Sequence, residues 1–275
     1  MRKSVWPVIV IGSVVAVAIA AHRIWTNPLP ESRDALLDEL RHDRLAASRN
    51  PTSFRALHRL ADVLVRLGQA QDAETPARRA VALAPNDASA HATLGLVLAA
   101  ENEAEPAQTE LDFALRHGDH DRLTYLMLGW AYGAVHQDSA ANRTYLDALS
   151  RYPTDWALLD GYARFLIRSN RAGATDFAKR SVAVAPRSAD AHATLGMAYF
   201  HEVDVKDARD EMRMATRLDS TSWRYWGDLG VYSWAAGDTI GAWAAFSRAR
   251  DIDSTHADLV PGWHSLWNAV RAAHR

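Results

Sequence analysis

The densest gathering of metal-type ligands in the chain is Arg116-His117-Gly118-Asp119-His120-Asp121-Arg122. Imidazole and carboxylate groups of this kind hold zinc. Ligands on neighbouring loop residues converge on one ion only when other side chains orient them, so this stretch reads as a solvated turn. His91 and His192 each occupy the second place of the same hexapeptide, Ala-His-Ala-Thr-Leu-Gly, at 90–95 and 191–196. They read as core histidines with satisfied hydrogen bonds. His201-Glu202 begins like a metalloprotease helix, but position 205 is Val205 where a second His would be required. The chain carries no Gly-x-Ser-x-Gly, no phosphate-cradling glycine loop and no dinucleotide fingerprint. The expectation is a non-enzyme, with no catalytic or metal residues, no cofactor and no small-molecule substrate.

The elements that would have to position any site emerge from the hexapeptide, whose copies lie 101 residues apart. Ala73, Ala107, Ala141, Ala174, Ala208 and Ala242 are separated by 34, 34, 33, 34 and 34 residues. Ala61, Gly95, Gly129, Ala163, Gly196 and Gly230 form a second series, with the single short step one place later. A third runs Ala80, Ala114, Ala148, Ser181, Ala215 and Ala249. Three periods less one residue give the 101, and the two series place the deletion between Ala163 and Ala174.

A 34-residue period with small residues at fixed places resembles the tetratricopeptide-repeat (TPR) family. The third repeat carries that family's pattern as Tyr125, Leu128-Gly129, Tyr132, Ala141, Tyr145, Ala148 and Pro153. The sixth carries Trp226, Leu229-Gly230, Ala242, Phe246 and Ala249, departing at Ser233 and Ser254. Helices approach closely at the small positions, and a larger side chain there would force them apart. The resemblance implies an all-α fold: a TPR-type α-solenoid, a right-handed superhelix of six helix–turn–helix repeats plus capping helices. The repeats fall at 54–87, 88–121, 122–155, 156–188, 189–222 and 223–256. Because each repeat buries its face only against a neighbour, the ends need covers. An N-terminal capping helix is expected within 32–53, where Leu36, Leu37, Leu40 and Leu45 have near-helical spacing. A C-terminal one is expected within 257–275, with Trp263, Leu266, Trp267 and Val270 on one stripe.

In that family the first helix of each repeat lines a concave groove. Carried over by position, the first repeat contributes Arg55, His58, Asp62 and Val65, and the fourth Ala157, Asp160 and Arg164. The fifth and sixth add Asp190 and Arg224, so the two ends of the groove carry charge and its middle is apolar. Its candidate partner-binding residues are Leu96, Leu123, Leu126, Trp130, Met197, Phe200, Val231 and Trp234. Two readings stand side by side: aromatic anchors for a docked helix or extended segment, or side chains that fill space between wound helices. The positions that clamp a peptide carboxylate in some relatives hold His58/Asp62 and Ala92/Leu96, so that mode is not expected.

Residues 1–25 differ in kind from the rest. Arg2 and Lys3 precede an uncharged run from Ser4 to Ala21, flanked by Trp6 and Trp25. A run of roughly 17 apolar residues sits at the lower limit for crossing a bilayer as a helix. It reads either as an uncleaved anchor or as a signal segment cut after Ala18-Ile19-Ala20. Both place the remainder of the chain outside the cytoplasm, in a bacterial periplasm, because cations stay inside. Thr26–Glu31, with two prolines, would be a short linker. Across all 275 residues, 31 Lys and Arg nearly balance 33 Asp and Glu, which argues against a nucleic-acid partner. With no cysteine there is no disulfide framework. The sequence therefore suggests a membrane-tethered scaffold that binds a protein partner, with envelope-complex assembly among the roles open to it. The alternative is a structural subunit or self-assembling array without a separate peptide ligand.

Overall fold

The computed structural model describes residues 33–118 and 122–253. The expectations for 1–25, for the linker, for the C-terminal capping helix and for Asp119–Asp121 lie outside them. Among the described residues there are thirteen helices and no strand. Their packing forms two blocks, 33–165 and 166–253.

In the first block, α1 (Arg33–Arg49) precedes the hairpins α2/α3 (Phe54–Arg66, Ala70–Leu83), α4/α5 (Ala88–Ala100, Ala104–His117) and α6/α7 (Arg122–Ala134, Asp138–Arg151). Most of α8 (Trp156–Arg168) completes it. The second block takes the end of α8, then α9 (Ala174–Val184), α10/α11 (Ala189–His201, Val205–Leu218) and α12/α13 (Trp223–Ala235, Thr239–Ile252). Each helix packs on the next within the hairpins, and α4 also packs against both α2 and α6.

Local chemistry sets these boundaries. Ser53, Asp87, Asp155, Ser188 and Ser222 cap the first helices, each accepting a hydrogen bond from the backbone N–H three residues on. An N-cap oxygen satisfies one of the orphan donors at a helix start and contributes about 1 kcal/mol. The first helices all end alike. Gly68, Asn102, His136, Asn170, Val203 and Gly237, one per repeat, take a left-handed backbone. At Gly68 the amide donates to Val65 O at 2.9 Å and the Gln69 amide to Leu64 O at 2.8 Å. That paired closure recurs in every repeat.

The one short period has a visible cause. The second helices span 14 residues in α3, α5, α7, α11 and α13, but α9 spans 11. The deletion is absorbed by unwinding the first turn of α9, leaving residues 169–173 as its connection, with Gly173 at φ 95°.

The small-residue series sit where the helices meet: Ala61, Ala73, Ala107, Ala141, Ala208 and Ala242 are all fully buried. The size of one helix's residue is matched to its neighbour's. A methyl group on Gly95, Gly129 or Gly230 would stand 2.7 Å from Leu111, Tyr145 or Phe246 respectively. In the first repeat the same two places are filled by Ala61 and Ala77, both buried. At these three places glycine stands where the facing helix brings a bulky side chain, whereas at Gly196 a methyl would meet the facing backbone, Ala208 O at 3.0 Å.

On α1 the buried stripe is Leu36, Leu40, Asp43 and Ala47, while Leu45 is exposed. The spacing i, i+4, i+7, i+11 is that of one helix face. A carboxylate occupies the third place on a stripe that is otherwise apolar.

Candidate partner-binding surface

The groove positions divide sharply by accessibility. In the first block, Leu96 on α4 and Leu126 on α6 are buried, and Trp130 on α6 is half-buried. Leu123 lies in the first turn of α6. In the second block, Met197 and Phe200 on α10 and Val231 on α12 are buried, and Trp234 remains half-buried. Phe200 stacks on Tyr232 with ring centres 4.4 Å apart. The Tyr225 hydroxyl of α12 donates to Asp190 Oδ1 of α10 at 2.6 Å. Five of the eight candidates therefore pack between helices. The two that keep both bulk and accessibility are Trp130 and Trp234, one in each block.

The charged end at the first repeat is more elaborate than its sequence positions suggest. Arg66, buried on α2, donates through Nη1 to Asp62 Oδ2 at 3.0 Å, and through Nη1 and Nη2 to Glu39 Oε1 and Oε2 of α1 at 3.3 and 2.9 Å. Beside them Asp43 Oδ1 is 3.5 Å from Arg59 Nε, while its Oδ2 is buried with no hydrogen-bond partner. Burial, reinforced by the charges of Glu39 and Asp43, pushes Asp62 up to about 7. The Arg66 contact opposes this, but that guanidinium is shared with Glu39. Burial likewise holds His58 below the usual imidazole range, although Asp87 pulls it up. Glu39 and Asp43 escaped the groove assignment because they belong to the preceding helix, outside the repeat register.

A cavity of about 300 Å³ opens between α1, α2 and α3. Leu57, Leu60, Leu64 and Pro76 supply its apolar lining, with Arg44 and Asp72 among its polar residues.

Among the described histidines singled out by sequence, His91, His192 and His117 are engaged. His91 Nδ1 lies 2.5 Å from Glu110 Oε2 and Nε2 lies 3.0 Å from Pro85 O. His192 repeats this with Glu211 at 2.7 Å and Pro186 O at 3.1 Å. Each ring bolts the two helices of its hairpin to the turn before them. His117 Nδ1 donates to Phe113 O at 2.9 Å and its ring stacks on Phe113. Glu202 accepts from Thr175 Oγ1 at 2.6 Å. Among the described residues no three His, Asp or Glu side chains are placed to hold a metal ion.

No protein-family sequence profile matches the chain, and no curated protein does. Solved structures do match. The APC/C hetero-tetramer Cut9–Hcn1 aligns with a TM-score of 0.64 at 13% identity, over 98% of this chain and 49% of that one. This chain thus spans about half of the Cut9–Hcn1 chain it matches. A tetratricopeptide repeat protein from Parabacteroides merdae aligns at 0.63 and 14% identity, over 86% of this chain and 92% of that one. The fold is a TPR array. PilF of Pseudomonas aeruginosa is similar too, at 0.58 and 17% identity over 82% of this chain and 99% of its own. In TPR terms, the half-buried Trp130 and Trp234 stand on the first helices of the third and sixth repeats, at places the sequence assigned to a groove.

Proposed function

We propose that this chain is a scaffold that binds a protein partner through the first-helix face of its TPR repeats. Trp130 and Trp234 would be its anchors. The observation that carries the reading is their partial exposure: they alone among the described groove candidates keep accessible aromatic surface, and tryptophan is enriched among the residues that carry binding energy where proteins meet. The Cut9–Hcn1 hetero-tetramer is an assembly built on the same fold.

We place the repeats outside the cytoplasm on a membrane tether, with envelope-complex assembly as the setting. This rests on the apolar run at 4–21 behind Arg2 and Lys3. Among the described residues no helix is long and apolar enough to cross a membrane. A protease added to intact cells and to burst cells tests the topology: cleavage of the repeats only after bursting the inner membrane overturns it.

For the partner, the full-length chain is purified with what it holds, as wild type, Trp130→Ala and Trp234→Ala. Loss of the same discrete protein from at least one variant supports the face. Equal recovery in all three overturns it. A second reading, a self-assembling structural subunit, is favoured by the burial of Leu96, Leu126, Met197, Phe200 and Val231, which leaves a peptide little apolar surface. Sedimentation distinguishes the two: a stable oligomer with no other protein present is its signature.

A further inference from the structure

We propose that a proton holds α1 on α2: the joint closes with its three carboxyl groups carrying one proton between them, and loosens when that proton leaves. This goes beyond the scaffold reading and does not depend on where a partner binds.

Asp43 interrupts an apolar stripe on α1 and is buried by docking onto the hairpin. Glu39 of α1 and Asp62 of α2 share one guanidinium, Arg66, and Arg59 is the other cation in the joint. With Glu39, Asp43 and Asp62 all ionised, three negative charges would face two positive ones, in a seam where Asp43, Asp62 and Arg66 are largely shielded from water while Glu39 and Arg59 reach it. A buried excess charge is costly, and the cheapest remedy is to neutralise the group. Asp43 Oδ2 is moreover buried without a hydrogen-bond partner. Polar residues that break a local pattern in this way mark strained or functional places.

The surroundings offer no other remedy. His42 lies beside Asp43 at 3.3 Å but is itself largely solvated. His58, one turn before Asp62, is disfavoured as a cation by burial and is turned to Asp87 and Ser89 of α4. On α3, Arg78 pairs with Glu74 and Arg79 donates to Pro51 O, while Asp72 lines the cavity.

Asp62 is the group that takes the proton. What raises it to about 7 is burial followed by Glu39 and Asp43, both carried by α1. Lifting α1 away therefore returns Asp62 toward its ordinary 3.8. Between those values the closed joint binds a proton that the open one does not. Opening is then favoured as pH rises, by up to about tenfold per pH unit, and levels off above about 7. The closed form is tightest in acid.

Hydrogen exchange of the α1 amides in the full-length chain, corrected for intrinsic rates from pH 5 to 8.5, reads this directly. Wild type is expected to lose protection in α1 as pH rises to about 7 and then to plateau. Asp62→Asn keeps the shape without the charge and is expected to hold α1 equally closed throughout. A flat wild-type profile overturns the proposal, as does an Asp62→Asn profile with the wild-type slope. Amides of α10–α13 serve as the internal reference. The same slope there would mean that pH acts on global stability, and the proposal falls.

Discussion

Val203 is the residue whose local conformation fits it least. It takes the left-handed closure of α10 at φ 66°, where sister repeats use Gly68, Asn102, His136, Asn170 and Gly237. A β-branched residue there costs on the order of 1–2 kcal/mol, and Val203 is 58% exposed, so it recovers little by burial. Val203→Asn is expected to stabilise the second block by about 1 kcal/mol, read as a higher denaturant midpoint at unchanged slope. Asparagine is preferred to glycine because glycine adds unfolded-chain entropy of about the same size. The hexapeptide offers a second test. Thr93 and Thr194 are buried with hydroxyls that have no partner, and an unpaired buried hydroxyl costs about 1–3 kcal/mol. Thr194→Val is expected to raise stability by about 1 kcal/mol in thermal unfolding; a loss would show that the hydroxyl is satisfied. Elsewhere in the same six residues His192 is fully engaged: both ring nitrogens face acceptors.

Hairpins, not single helices, are the packing units. Their close approach at Gly230 and Phe246 sets two effects against each other. Alanine improves helix propensity by about 1 kcal/mol over glycine. Its methyl, however, would stand 2.7 Å from a phenyl ring, and overpacking a tight seam costs about 1–3 kcal/mol. Phe246 is buried in the core with Met212, Leu229 and Tyr232, so its ring has nowhere to swing. Gly230→Ala is therefore expected to destabilise by about 1–2 kcal/mol. Gly230→Ala with Phe246→Leu should recover part of that loss, a coupling measurable by a double-mutant cycle. Additive losses would mean that the helices part freely. At this scale much was legible. Ala73 and its five counterparts fixed the period, and the slip between Ala163 and Ala174 located the shortened α9. The matching of glycine to a bulky neighbour was hidden, because it relates two residues about sixteen apart that only the closed hairpin brings together.

For the whole molecule the consequence of a repeat array is that stability is built from neighbouring terms. Damage in one block should stay there. Gly230→Ala is expected to lower hydrogen-exchange protection in α10–α13 while leaving α2–α5 unchanged; equal loss in both would show that the chain unfolds as one cooperative body. The proposed binding face obeys another rule. Its repeat register was readable, yet only Trp130 and Trp234 of the described candidates keep appreciable surface, because a side chain's accessibility depends on how neighbouring repeats close over it.

By itself the sequence determined the all-helical architecture, the six-fold recurrence and the place of the lost residue. Capping, small-residue packing and turn closure all act within a span of 34 residues and leave a mark in every copy. Tertiary structure alone decided which groove side chains vanish between helices. It also decided that Arg66 is shared with Glu39, 27 residues away on another helix, and that Asp43 lies buried against them. Burial and the field of neighbouring charges belong to the assembled helices, so no local pattern can announce them.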